Sequence, residues 1–111
     1  MKALFLDAGR LRSEVILQAA IPVEDGAGGH VEQWSEVARL FAAVEPLRAE
    51  SRFGAGQFLE TVTHKVTLRY RADLRSGMRF LRAGRALEIV TVQDPDETRR
   101  YFTCLVREEG R

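Results

Sequence analysis

Residues 61–71, TVTHKVTLRYR, constrain the fold more than any other stretch of the chain. Val62, His64, Val66, Leu68 and Tyr70 fall on one side of an alternation, and Thr61, Thr63, Lys65, Thr67, Arg69 and Arg71 on the other. A period of two, rich in β-branched side chains, predicts a strand with one face on a core and the other toward water.

The rest of the chain supplies partners for that strand. Residues 85–93 (RALEIVTVQ) and 99–106 (RRYFTCLV) read as two more strands, with Leu87 and Ile89 placed opposite Val90 and Val92. Asp94-Pro95-Asp96-Glu97 between them is a turn, because proline fixes φ and the Asp side chains bond nearby amides, so the two runs form a hairpin. Residues 13–21 (SEVILQAAI) read as a strand ended by Pro22. A glycine-rich loop follows at 24–30. Residues 31–44 (VEQWSEVARLFAAV) fit two templates: Val37, Leu40, Phe41 and Val44 suit a helical face, and Val37, Phe41 and Ala43 suit a strand face. The glycine-loop context and short linkers favour a long strand ended by Pro46. Residues 47–60 are the one helix expected, kept short by Gly54 and Gly56. Turns at 73–78 and 83–84 bracket a short strand at 78–81. The expected fold is mainly β: a small antiparallel β-barrel or sandwich of about six strands with one short helix.

Length and composition agree with one domain over 1–111: 45% hydrophobic and 30% charged residues describe a globular chain with one core. No apolar run approaches the roughly 20 residues of a membrane helix, so no membrane partner is expected. The opening MKALFLDAGR is too short in apolar residues to be a secretory signal. The single cysteine, Cys104, excludes an internal disulfide and a cysteine-rich zinc site.

A search for chemistry finds no catalytic set, no metal and no cofactor site. His30 and His64 lack metal-ligand spacing, and Cys104 has no base beside it in the sequence. Gly26, Gly28 and Gly29 are not followed by the helix start of a phosphate loop. The carboxylates form no pair assignable to a pocket.

Charge is distributed unevenly in a chain of net charge +1. Residues 24–60 hold seven acids (among them Glu32, Glu36, Glu45 and Glu50) and three arginines, while 69–85 hold Arg69, Arg71, Arg75, Arg79, Arg82 and Arg85 against Asp73 alone. Three readings stand: a solvated strand face, phosphate contacts, or a head-to-tail subunit interface in which the basic segment of one copy meets the acidic segment of the next. On the last, the six arginines with Glu32, Glu36 and Glu45 are the interface candidates. On the second, the chain is a small nucleic-acid-binding barrel using those arginines with Tyr70 and Phe80.

The order of short elements resembles the phage head–tail joining family, the head closure or stopper proteins of tailed phages and gene transfer agents. The pieces are Gly9-Arg10-Leu11-Arg12 opening into Glu14-Val15-Ile16-Leu17-Gln18; Gly28-Gly29, Trp34 and Phe41-Ala42-Ala43-Val44-Glu45-Pro46; then Glu50 and Gln57. Val66-Thr67-Leu68-Arg69-Tyr70-Arg71, Met78-Arg79-Phe80, Leu87-Glu88-Ile89-Val90 and Cys104 follow. Where family members often carry a second tryptophan, this chain has Leu40-Phe41. The resemblance implies a ring protein of the head–tail connector, of six or twelve copies with six favoured. It implies made-in-cytoplasm assembly into the neck of a virion or phage-like particle, closure of the DNA channel after packaging, and a tail-docking surface. Its implied partners are further copies of itself, the portal and adaptor side, the tail terminator or tail tube protein, and double-stranded DNA in the channel. It also implies that residues 45–60 reach the channel, with Glu50, Arg52, Gly54, Gly56 and Gln57 as the channel-loop candidates.

Overall fold

A computed structural model describes residues 8–47, 62–94 and 97–109. Six antiparallel strands form one sheet: β1 (Ser13–Glu24), β2 (His30–Pro46), β3 (His64–Arg69), β4 (Arg79–Arg82), β5 (Arg85–Gln93) and β6 (Tyr101–Glu108). They close into a barrel in the order β1-β2-β3-β6-β5-β4. The one helical element among the described residues is a 3-10 turn, Ala8–Arg10, ahead of β1. The helix expected at 47–60 falls, apart from Leu47, outside the described residues.

The core is the inward-facing half of each strand. Val15 and Leu17 of β1, Ala42 of β2, Val66 and Leu68 of β3, Phe80 of β4, Leu87 and Ile89 of β5, and Cys104 and Val106 of β6 are buried together. Leu74 and Met78, from the turn before β4, join them. Gly77 in that turn has φ +88, a conformation that costs glycine little. Its amide donates to Ile89 O at 3.2 Å, and Ile89 N donates to Met78 O at 2.9 Å, so the turn clips onto β5.

The bounds of β1, β3 and β6 and the face of Val92 differ from the sequence reading. Strand β1 runs through Pro22 to Glu24. Past Gln18 it has β2 as its one neighbour among the described residues, and an edge position needs no ladder donor from proline. Strand β3 is shorter than 61–71: Thr63, whose N donates to Val106 O at 2.8 Å and whose O accepts from Leu47 N at 2.9 Å, lies past the end of β2, and Tyr70, whose N donates to Arg100 O at 3.0 Å, lies beyond the last β2–β3 pair, Ala42–Leu68. Strand β6 starts at Tyr101 and ends at Glu108, after a turn in which Asp94 Oδ2 accepts from Arg99 N at 2.8 Å. Val92 faces the core with Leu87 and Ile89 rather than opposite them. The register slips between Ile89 and Thr91, leaving Val90 as the extra residue and putting Val92 across from buried Cys104.

A second slip lies between Leu17 and Gln18: Leu17 pairs with Ala38, Gln18 with Glu36, and Val37 is the extra residue. Beyond it β1 and β2 leave the barrel as a two-stranded arm. β4 touches β1 at Ile16–Gln18, and β3 touches β2 from Ala42 onward, so among the described residues the rest of the hairpin has two strands alone. The arm explains the extents of 53 × 29 × 25 Å and the radius of gyration of 15.0 Å, against about 13 Å for a spherical chain of this length. Its tip is closed by Asp25, whose Oδ1 accepts from Ala27 N at 2.8 Å and Gly29 N at 3.1 Å.

Candidate interaction surface of the barrel and its arm

The arginines of 69–85 separate into two groups. Arg71 is held locally: its Nε and Nη2 donate to the two carboxylate oxygens of Asp73, each at 3.0 Å. That bidentate bond raises the Arg71 pKa and lowers that of Asp73 below the usual carboxylate value, hydrogen bonding being the largest cause for both. Arg75 donates to Asp73 O at 3.3 Å. Arg79 is engaged on the outer wall: Nε donates to Gln18 Oε1 at 2.7 Å, and Nη1 lies 3.7 Å from Glu109. Its guanidinium also covers Trp34 on the arm. Arg85 lies 3.6 Å from Glu108, whose side chain is almost wholly buried. Arg69 and Arg82 form the second group, with side chains that no ion pair or hydrogen bond ties within the described chain, although Arg69 sits 6.0 Å from the Tyr101 ring centre. Arg82 faces Arg85 directly across the β4–β5 turn, a like-charge pairing that is unfavourable in isolation.

The acidic candidates lie along β2. Glu32 is exposed on the arm opposite Pro22, Glu36 is 3.5 Å from Arg39, and Glu45 stands across from Lys65. None meets the 69–85 arginines within one copy, among the described residues. Glu50, Arg52, Gly54, Gly56 and Gln57 lie outside the described residues.

Two features had no sequence signal. One is a run of exposed apolar side chains: Ile21 (49% exposed), Val31 (51%), Val37 (39%) and Phe41 (60%). The other is a cleft of about 510 Å³ where β2 and β3 part after the Ala42–Leu68 pair. Leu11, Leu40, Phe41, Leu68 and Tyr70 give it an apolar lining, and Arg39, Arg69 and Arg71 stand at it. Tyr70 is fixed by a 4.7 Å ring contact with Phe102.

Chemistry of other kinds is little supported by the geometry. Cys104 is fully buried, and burial pushes its thiol up to about 12, the reverse of what an attacking thiolate needs. Among the described residues no group of three or more His, Cys, Asp or Glu is placed to hold a metal ion, and no helix is long and apolar enough to cross a membrane. Phe80, one of the two aromatics available for base stacking, is wholly inside the barrel.

Residues 6–109 match the phage head completion protein family. The chain belongs to that family. Its membership makes the chain a structural protein of a phage-type virion particle, as the element order anticipates. No curated protein sequence matches the chain. Among solved structures, it is similar to protein SF1141 from Shigella flexneri 2a, determined in solution: TM-score 0.76 and 28% identity, covering 95% of this chain and 98% of that one. It is also similar to a chain of the virion of a native gene transfer agent particle, with TM-score 0.64 and 28% identity over 88% of this chain and 94% of that one. In both, the shared region is nearly the whole chain.

Proposed function

We propose that this head completion protein assembles as a ring in the head–tail connector, closes the DNA channel after packaging, and offers the tail its docking surface. The observation that carries the reading is the family match over 6–109 in a chain whose surface is built for contact rather than chemistry. Exposed Arg69 and half-exposed Arg82 on one side and exposed Glu32 on the other find no mutual partner within a copy, which suits contacts between copies. The similarity to a chain of a gene transfer agent virion supports a place in the particle. In this reading the ring has six copies, meets the adaptor and portal on one side and the tail on the other, and surrounds double-stranded DNA. Residues 45–60 take the channel-side role.

The test is the assembled particle. Density of the neck should contain a ring of this barrel between adaptor and tail, and particles made without the chain should package DNA, lose it, and fail to join tails. A chain found in the capsid shell or at the tail tip, or particles that retain DNA without it, overturns the reading.

A further inference from the structure

A two-stranded hairpin standing alone in water is marginally stable, and the arm adds an exposed apolar face to that problem. Residues opposite one another share a face, so Val23 with Val31 and Ile21 with Gln33 continue the side on which Val15 and Leu17 enter the core. Ile21 and Val31 are about half exposed there. The arm's charges are of one sign: between residues 19 and 36 lie Glu24, Asp25, Glu32 and Glu36, with no Lys or Arg, and Glu24, Glu32 and Glu36 stand on the other face of the hairpin, opposite His30, Pro22 and Gln18.

The β2–β3 cleft has the complementary character. Leu40, Phe41 and Tyr70 offer apolar surface, and Arg69 supplies positive charge beside it, Arg71 being engaged by Asp73. The ladder between β2 and β3 stops at Ala42 and Leu68, so the facing backbone edges of the two strands are not bonded to each other here. Parted edges of this kind accept an added strand or hairpin.

The arm of the same copy cannot fill that cleft. Leu40 lies at the root of the arm and His30 near its tip, ten residues apart along β2, or roughly 33 Å at about 3.3 Å per residue. We propose that the arm of one copy docks in the β2–β3 cleft of a second copy, with Ile21 and Val31 against Phe41 and Tyr70 and the carboxylates of the arm's other face toward Arg69. Arm and cleft are different surfaces, so the contact is head-to-tail and propagates around a closed ring. The inference rests on the ring reading above and names the element that makes the ring.

The test uses two full-length variants, Ile21→Cys and Phe41→Cys, at exposed positions, with Cys104 buried and unreactive. Each is treated with a short bis-maleimide, alone and as an equal mixture. The expected result is a covalent dimer in the mixture that is absent from either variant alone, and its loss when Ile21→Cys also carries Val31→Glu. Circular dichroism of each variant verifies the fold. A 21–21 or 41–41 dimer in the single variants overturns the docking. So does a ring by native mass without a 21–41 product, which leaves the ring reading standing. A chain that stays monomeric and yields no dimer at millimolar concentration also overturns the docking, and the ring is then judged from the neck density alone. Products linking the Phe41→Cys variant to an adaptor or tail protein in particles, with none between copies, assign the cleft to that partner and overturn the docking as well.

Discussion

The guanidinium of Arg79 lies over the Trp34 ring, 4.1 Å from its centre. Arg79 belongs to β4 and Trp34 to the arm, so this contact joins a barrel strand to the hairpin that leaves the barrel. Gln18, just past the register slip, accepts from the same arginine. The arm therefore has a brace as well as a root.

Arg79→Ala should remove that brace. Loss of a cation–π contact and a side-chain hydrogen bond together is expected to cost about 1–2 kcal/mol, read as a lower urea midpoint. Trp34 is the sole tryptophan, so its emission should shift to the red in the folded variant. An unchanged emission maximum would mean that Arg79 does not cover the ring in solution.

Charge reversal separates assembly from folding. Arg69→Glu and Arg82→Glu alter exposed or half-exposed arginines that form no ion pair among the described residues and should leave stability within about 0.5 kcal/mol. Assembly measured by native mass should be lost, and a compensating Glu32→Arg should restore it for one of the two. Intact rings from both single reversals would remove these arginines from the interface.

Cys104 gives a pH-dependent prediction. Its thiol titrates near 12 when folded, against about 8.5 in an open chain. The folded chain thus holds its proton where the unfolded chain has lost it. The stability this contributes is complete below about pH 8.5 and declines as pH rises toward 12. Native protein at pH 8 should resist iodoacetamide, and alkylation should follow the unfolding curve in guanidinium. Rapid alkylation under native conditions would mean that β6 opens locally.

Turn chemistry offers a stabilising change. Ala83 and Gly84 join β4 to β5 with φ +50 and φ +81, the two positive angles of a type I′ turn. Asparagine tolerates the left-handed region better than alanine, so Ala83→Asn should raise stability by roughly 0.5 kcal/mol. Gly84→Val should lower it. A melting temperature unchanged by both would argue against this turn geometry.

Most of the barrel was legible in the sequence because most strands alternate without interruption. The 61–71 pattern placed Val62, Val66 and Leu68 inward, and Cys104 with Val106 followed the same logic in β6. The misread faces coincide with the two extra residues. Val37 shifts the phase of β2, so Ala38, Leu40 and Ala42 face inward after Ser35 and Gln33 have done so. The resulting apolar spacing imitates a helix, which is why 31–44 fitted both templates. Val90 does the same to Val92. The arm and its cleft were hidden for a different reason. Whether Ile21 or Val31 is covered depends on where β3 and β4 stop, and no local pattern encodes the end of a neighbouring strand.

The barrel closes through β1 and β4, and that closure is three residues long, Ile16–Gln18 against Leu81–Arg79. Every other neighbouring pair is joined over a longer run. A ring of strands opens where its ladder is shortest, so slow breathing of the native state should begin at this seam. Sequence separation adds to the effect, because β1 must wait for β4 to be made before the ring can shut, a late and entropically costly step in folding. The amides of Ile16–Gln18 that bond to β4 should therefore exchange with deuterium ahead of those in the β5–β6 hairpin, with Arg79 as the latch that sets how often the seam parts.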